Sequence, residues 1–302
     1  MAFQLKANEP VSAGITRNVR QQFEKVLKSV GGKRKRPDNE TVFEARKCFK
    51  RVRAALRLVR EELGDDLYHE ENLCFRDAAR PLTEVRDAHV LVETAEKLRQ
   101  QFPDAIEAGA FAKIHEALLK NQQGVSRRVL EQAKAFAQVE QIAARALGRL
   151  PDWRLQRDGW PAVETGLRHV YRTGHRALAA AGENASVENL HELRKQAKYL
   201  WHQLQLLEAA LPDNEKALVD QAHQLSTLLG EDHDLAVFRE TLAADPLIYG
   251  GHRVLKSVFA AVDRRRQELE RKALALGREI YKDAPRVFVS RMEGPVSCEV
   301  VK

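Results

Sequence analysis

Seven apolar residues in the first half of the sequence, Val42, Ala45, Phe49, Val52, Leu56, Val59 and Leu63, recur at alternating spacings of three and four. That is the buried stripe of an amphipathic helix of about six turns. The same spacings return in Leu190, Leu193, Ala197, Leu200, Leu204, Leu207 and Leu211, each 148 positions further on. Two generic helices could share a stripe, but here the polar positions match as well. Glu44/Glu192, Arg46/Arg194, Lys47/Lys195 and Lys50/Lys198 are identical at that offset. A second matched pair, Leu82 to Asp87 against Leu229 to Asp234, lies at an offset of 147, and Gly14-Ile15 with Arg20 matches Gly166-Leu167 with Arg172 at an offset of 152. The sequence therefore reads as two homologous halves, roughly residues 1–150 and 151–302, joined near Pro151, Gly159 and Pro161.

No segment alternates with period two for long enough to predict a sheet. Gly (16) and Pro (10) are sparse and 31% of the residues are charged, so the expected class is all-α. Breakers at Gly31-Gly32 with Pro37, Gly64, Pro81, Pro103, Gly148 with Pro151, Gly182, Pro212, Gly230, Pro246 with Gly250-Gly251, and Pro285 cut each half into about four or five helices. Joined mainly by short loops, these are expected to pack as antiparallel bundles. Pro81 interrupts an otherwise helical pattern, which predicts a kink or break there. The tail from Pro285 to Lys302 shows little helical pattern and reads as an extended strap. Cys48, Cys74 and Cys298 form neither a disulfide framework nor a metal-binding cluster. With no secretion signal and no run of about 18 apolar residues, the expected compartment is the reducing cytoplasm and no membrane span is expected.

Lys and Arg number 50 against 43 acids, a formal charge of +7, which favours polyanionic partners. The distribution of that charge is more informative. Arg46, Lys50, Arg53 and Arg57 are spaced by four, three and four, one helical face separate from the apolar stripe. Between Val42 and Arg60 seven cations, Lys47 among them, meet the single acid Glu44. Such a run repels itself unless an anion sits within it, whereas a solvated helical face usually mixes signs. In the second half His191, Arg194, Lys195, Lys198 and His202 occupy the corresponding face, with Trp201 and Gln205 in place of the later cations. Further rows occur at Arg76 and Arg80, and at Arg168, Arg172 and Arg176, with Arg20 matched to Arg172. Rows on several helices suit a long, multivalent anion. Phe49, on the apolar stripe, is the one aromatic among the cations of the first row, so phosphate backbone fits better than nucleobases.

Leu190-His191-Glu192-Leu193-Arg194-Lys195-Gln196-Ala197-Lys198 and Leu229-Gly230-Glu231-Asp232-His233-Asp234-Leu235, in a duplicated helical chain, resemble the CHAD family, the conserved histidine α-helical domain. The resemblance covers nearly the whole chain. It implies one compact domain of two pseudo-two-fold-related helical bundles. Its basic central groove would bind inorganic polyphosphate, without catalysis and without a cofactor. The family's histidine falls on His191 and, in the first half, on Phe43; its basic positions fall on Arg46, Lys50, Arg53 and Arg57, and on Arg194, Lys195 and Lys198. Asp87 and Asp234 are expected to cap or to pair with a buried cation.

The implied partners extend to polyphosphate-metabolising proteins and storage granules, with nucleic acid bound only non-specifically and no membrane. Competing readings are a protein scaffold that receives an acidic segment in the same groove, and a metal-dependent HD-type phosphohydrolase. The latter would rest on His233-Asp234 with His191, His202 or His223 and with Asp245 or Asp263. The duplicate of that dipeptide is Arg86-Asp87, which puts a cation where a ligand is needed. Lys33-Arg34-Lys35-Arg36-Pro37 reads as a solvated basic loop, resembling an import signal or serving as part of a polyanion site. His69, His115 and His252 read as packing or surface residues, and Trp153, Trp160 and Trp201 as core or groove walls. If His191 and His202 line the groove, a bound anion raises their pKa and binding strengthens as pH falls.

Overall fold

The computed structural model describes residues 3–6, 9–31, 39–103 and 107–293; the basic stretch 33–37 and Cys298 lie outside them. Among the described residues the fold is all-α, with no strand. The first half contributes α1 (Val11–Val30), α2 (Asn39–Leu58), α3 (Arg60–Leu63), α4 (Asp65–Ala79), α5 (Thr83–Gln101), α6 (Ala108–Ser126) and α7 (Ala135–Arg149). The second contributes α8 (Pro161–Glu183), α9 (Val187–Leu207), α10 (Ala217–Ala244), α11 (His252–Ile280) and α12 (Pro285–Met292). The sequence offsets place α1 against α8 and α2 against α9. They also set α4 and α5 against the single helix α10, and α6 against α11. Burial follows them: Glu71, Phe75 and Ala78 on α4 are buried, and so are Leu218, Ala222 and Leu225 at the 147-residue offset on α10.

Two local outcomes separate the halves. Pro81 ends α4 at Ala79, and a turn leads into α5 at Thr83, as its missing N–H and its ring demand. Gly230, expected to break the chain, instead lies inside α10. A glycine retains its N–H and costs a helix only about 1 kcal/mol, which packing along α10 overrides. Gly64, at φ 82°, breaks the chain as expected, but unexpected breaks between Leu58 and Arg60 and at Lys134, φ 51°, give the described residues of the first half seven α-helices, more than the four or five expected. The tail from Pro285 also differs from its expected strap. Residues Pro285–Met292 form α12, with proline at the first helical turn, where no N–H is required. Phe288, Val289 and Met292 are buried, and the Phe288 ring stacks 3.7 Å from Tyr171 on α8. Eight residues are too short a window for helical periodicity to register in sequence. As α12 packs on α8, so α7 packs on α1.

Every residue of the two matched stripes is buried except the half-buried Leu63. These stripes join α1, α4, α7, α8 and α12 in one apolar cluster running from Phe3 to Met292. A second cluster packs Leu91, Leu98 and Leu118 of α5 and α6 against Phe238, Leu255 and Val262 of α10 and α11. Both clusters draw on both halves. Each fully buried Leu, Val or Phe contributes about 1.5–3 kcal/mol, so neither half keeps its core without the other. Buried acids reinforce the frame: Glu71 takes a paired contact from Arg149 at 2.8 and 2.7 Å, and Glu62 binds the Arg157 side chain and its backbone N–H.

At Gly166 on α8 the backbones of the two halves come very close. A Cβ there would lie 2.0 Å from the Leu58 carbonyl oxygen and 2.7 Å from that of Arg57, both on α2. Its counterpart Gly14 would meet only the side chains of Leu5 and Glu9. Backbone cannot swing aside as a side chain can. Gly166→Ala is therefore expected to destabilise the fold by about 3 kcal/mol, within or above the usual overpacking range. Gly14→Ala should cost clearly less, and thermal melting of the two variants side by side checks the difference.

Candidate anion-binding groove

Helices α2 and α9 cross between the halves, and the cations spaced by three and four along each share one face. The contacts across this crossing repeat. Arg51 Nη2 donates to Gln205 Oε1 at 3.4 Å, and Arg57 lies 4.1 Å from the ring of Tyr199. Shifted by 148, Arg51 becomes Tyr199 and Arg57 becomes Gln205, so one pair is the other with the halves exchanged. A two-fold axis between α2 and α9 would produce this relation.

Around that crossing Arg46, Lys50, Arg194 and Lys198 crowd together with Arg86 of α5, each opposing the charge of its neighbours. Two acids answer them. Arg86 donates to Asp87 at 3.1 Å and across the halves to Asp234 at 3.2 Å, so both aspartates pair with a half-buried cation. Arg46 Nη1 donates to Thr83 Oγ1 at 2.5 Å and to the Ala79 carbonyl at 3.1 Å. Arg194, Lys50 and Lys198 have no hydrogen bond or ion pair among the described residues. The Nε groups of Arg46 and Arg194, repeat partners, are both buried without an acceptor. Such orphan donors cost about 1–3 kcal/mol each, a cost that an entering anionic oxygen removes.

The same crowding moves protons. Burial first, then Lys198, Arg46, Arg194 and Arg86, push Lys50 down to about 6, and burial with Arg194 and Arg86 pushes Lys198 down to about 8 despite Asp234. The rings of His191 and His233 lie 4.9 Å apart. Burial and then Arg194 hold both below the ordinary histidine value, His233 at about 4. His202 is buried under the same lysines, stacked on Trp201, and is held well below its ordinary value by burial and by Lys198.

Beside the crossing, Arg46, Lys50, Arg53, Arg76 and Arg80 line a cleft of about 510 Å³ with Asp77 as its one acid. The break at Pro81 builds it, because the end of α4 and the start of α5 turn their side chains toward α2 there. Arg53 Nε and Arg57 Nη1 both donate to Asn72 Oδ1, at 3.1 and 3.0 Å, which fixes the lower half of the row. Other candidate residues stand apart. Lys47 pairs with Glu44 at 3.4 Å, Lys195 pairs with Glu192, and Arg172 contacts His169. Arg20, Arg172 and Arg176 are exposed on α1 and α8, outside the crossing. Arg86 was not among the sequence candidates, although its match to His233 in the duplicated Arg-Asp and His-Asp dipeptides marked the position. Asp234, a ligand in the phosphohydrolase reading, gives its carboxylate to Arg86, and among the described residues no group of three or more His, Cys, Asp or Glu side chains converges as a metal site.

The fold and this site define a duplicated helical module with cations gathered where the repeats meet. The family profile of the CHAD domain matches residues 17–243, and the chain belongs to the CHAD family. The crystal structure of the CHAD domain from the plant Ricinus communis is similar in fold, with a TM-score of 0.62 at 17% identity over 93% of this chain and 95% of that one. Comparison with curated proteins yields no match.

A lysine whose folded pKa falls from 10.5 to about 6 binds its proton less well folded than unfolded. The unfolded chain then carries the extra proton between those two values, so stability rises with pH across that window and falls as pH drops toward 6. Lys50→Met is expected to melt several degrees higher than the parent at pH 6 and to show a flatter dependence up to pH 9. Calorimetric melting across that range checks both.

Proposed function

We propose that the chain binds inorganic polyphosphate by electrostatic capture, without catalysing its turnover. The observation that supports this reading most directly is the set of cations at the α2–α9 crossing, which lack acidic partners: Arg194, Lys50 and Lys198, with the buried, unpaired Nε groups of Arg46 and Arg194. Folding has brought like charges together at a cost, and a linear polyanion laid along α2 and α9 offsets that cost by placing successive phosphates among them. Aromatic platforms for bases are missing from the row itself, where the buried Phe49 forms a wall of the cleft. Counterion release then supplies much of the affinity, and longer chains gain by engaging more cations at once. Polyphosphate in storage granules, or proteins that metabolise it, are the partners such a module would meet, in the cytoplasm.

Calorimetry with long-chain polyphosphate at physiological salt, with single-stranded DNA and heparin as competitors, tests this reading. Tight binding is expected, weakening steeply as salt is raised and resisting displacement by DNA. Arg46→Glu/Lys198→Glu should lower affinity by about tenfold or more for each charge reversed, since a hydrogen bond to a charged group contributes roughly 1.5–3 kcal/mol. Affinity that is flat with salt, or unchanged in that variant, would sink the proposal.

Binding should also take up protons. An anion between Lys50 and Lys198 raises both pKa values from about 6 and about 8, so the bound state holds more protons at pH 7 to 8. Affinity should increase as pH falls from 8.5 to 6.5, and titrations in buffers of different ionisation enthalpy should report net proton uptake. No uptake would remove the lysines from the site.

A further inference from the structure

The two ends of the groove are related by the repeat but are not alike. At the 148- and 147-residue offsets, the cleft residues Arg53, Arg76 and Arg80 become Trp201, His223 and Thr227. The structure keeps the correspondence in space. Arg53 and Arg76 are near enough for each to feel the other's charge, and their counterparts Trp201 and His223 stack with ring centroids 4.2 Å apart. Where the first half opens a cleft between cations, the second half closes the equivalent place with an indole and an imidazole. The loop difference has the same sense: Pro81 splits α4 from α5 beside the cleft, while α10 runs unbroken past His223 and Thr227.

We infer that the first-half cleft is a subsite for a short linear oligophosphate, and that the Trp201–His223 end of the groove is not. The inference rests on the polyphosphate reading and adds that the two halves divide the work: the cleft anchors one stretch of the chain, and Arg194 and Lys198 receive its continuation across the crossing. Geometry and charge agree on the anchor. The arginines Arg46, Arg53, Arg76 and Arg80 line one space, with Lys50 beside them and only Asp77, which takes Nε and Nη2 of Arg76 at 3.0 and 3.3 Å, as a counter-charge. At roughly 30 Å³ for each water-sized group, a three-phosphate unit of about thirteen heavy atoms fits a cleft of about 510 Å³. In the second half Arg194 and Lys198 remain, but no cation stands opposite them in the places of Arg76 and Arg80. Phosphate oxygens there would have cations on one side only.

Tripolyphosphate is the probe, titrated into the full chain by calorimetry at physiological salt. One molecule is expected to bind per chain. Arg76 and Arg80 are exposed, so Arg76→Ala/Arg80→Ala should melt like the parent. That variant should lose at least tenfold in tripolyphosphate affinity, while long-chain polyphosphate still binds through the crossing. Arg172→Ala/Arg176→Ala removes the same charge from an exposed row elsewhere and should leave tripolyphosphate binding close to the parent's. Two equivalent tripolyphosphate sites, no tripolyphosphate binding beside normal long-chain binding, or equal losses in both double variants would each overturn the subsite. Failure of long-chain polyphosphate to bind the parent would overturn the function itself, an outcome these titrations distinguish from the others.

Discussion

The crossing of α2 over α9 is the contact on which the rest of this molecule depends. Its buried side is the doubled apolar stripe, from Val42 and Leu190 down to Leu56 and Leu204, and its other side is the doubled row of cations. One set of residues therefore supplies the adhesion between halves and another, a third of a turn away, supplies their mutual repulsion. Hydrophobic burial is short-ranged and is satisfied at contact, whereas repulsion among half-buried charges grows as the helices approach. The apolar stripe wins because it is continuous with a core shared by both halves. Arg86, gripping Asp87 and Asp234 together, fastens the crossing from the third side.

Much of this was legible in the sequence because a duplicated pattern shows itself twice. The stripe, the identical Arg46/Arg194 and Lys50/Lys198 pairs and the all-α class needed only spacing and charge. What stayed hidden was decided over distances that spacing does not encode. Arg86 joins the site because α5 packs against α2 and α10, and His202 leaves the surface because α9 turns it inward beneath Lys198. Gly230 and α12 misled for opposite reasons. A glycine between long stretches of helix-forming sequence does not end a helix, and an eight-residue amphipathic stretch does not announce one until Tyr171 and α8 provide its partner. The basic positions that the family resemblance implied fall on α2 and α9, but the resemblance could not say which of them share a space.

Local electrostatics explains why the cations are held and not simply solvated. Lys47 and Lys195, on the outer shoulders of the two rows, each find a glutamate three residues away. The inner pairs have none, although Glu44 and Glu192 lie on the same helices. An inward acid would neutralise the crossing internally and leave it nothing to offer an anion. With Arg46, Lys50, Arg86, Arg194 and Lys198 around Asp87 and Asp234, the crossing instead relieves its charge by lowering the proton affinity of Lys50, to about 6, and of Lys198, to about 8. That relief is reversible. On the proposed function an entering anion would raise both pKa values and restore the charge that the crossing gives up.

Identity between the halves is concentrated at the centre of the crossing, while Arg51/Tyr199 and Arg57/Gln205, which also meet across it, differ. A residue at the crossing has its own repeat partner as a neighbour: Arg46 feels Arg194, and Lys50 feels Lys198. A change there alters both copies' surroundings at once, and these pairs are identical. Arg53, Arg76 and Arg80 line the cleft beside the crossing, and at the matching places the second half has Trp201, His223 and Thr227. Arg86 and His233 differ as well, and that difference sets the balance of charge. Were both arginine, a further permanent charge would stand between Asp87 and Asp234; a neutral His233, held at about 4 beside Arg194, leaves Arg86 to bridge both acids alone. A duplicated protein can thus keep matched pairs at its centre while its two outer ends diverge, and on the proposed function it is the divergence, not the duplication, that would give a featureless linear ligand a place to begin.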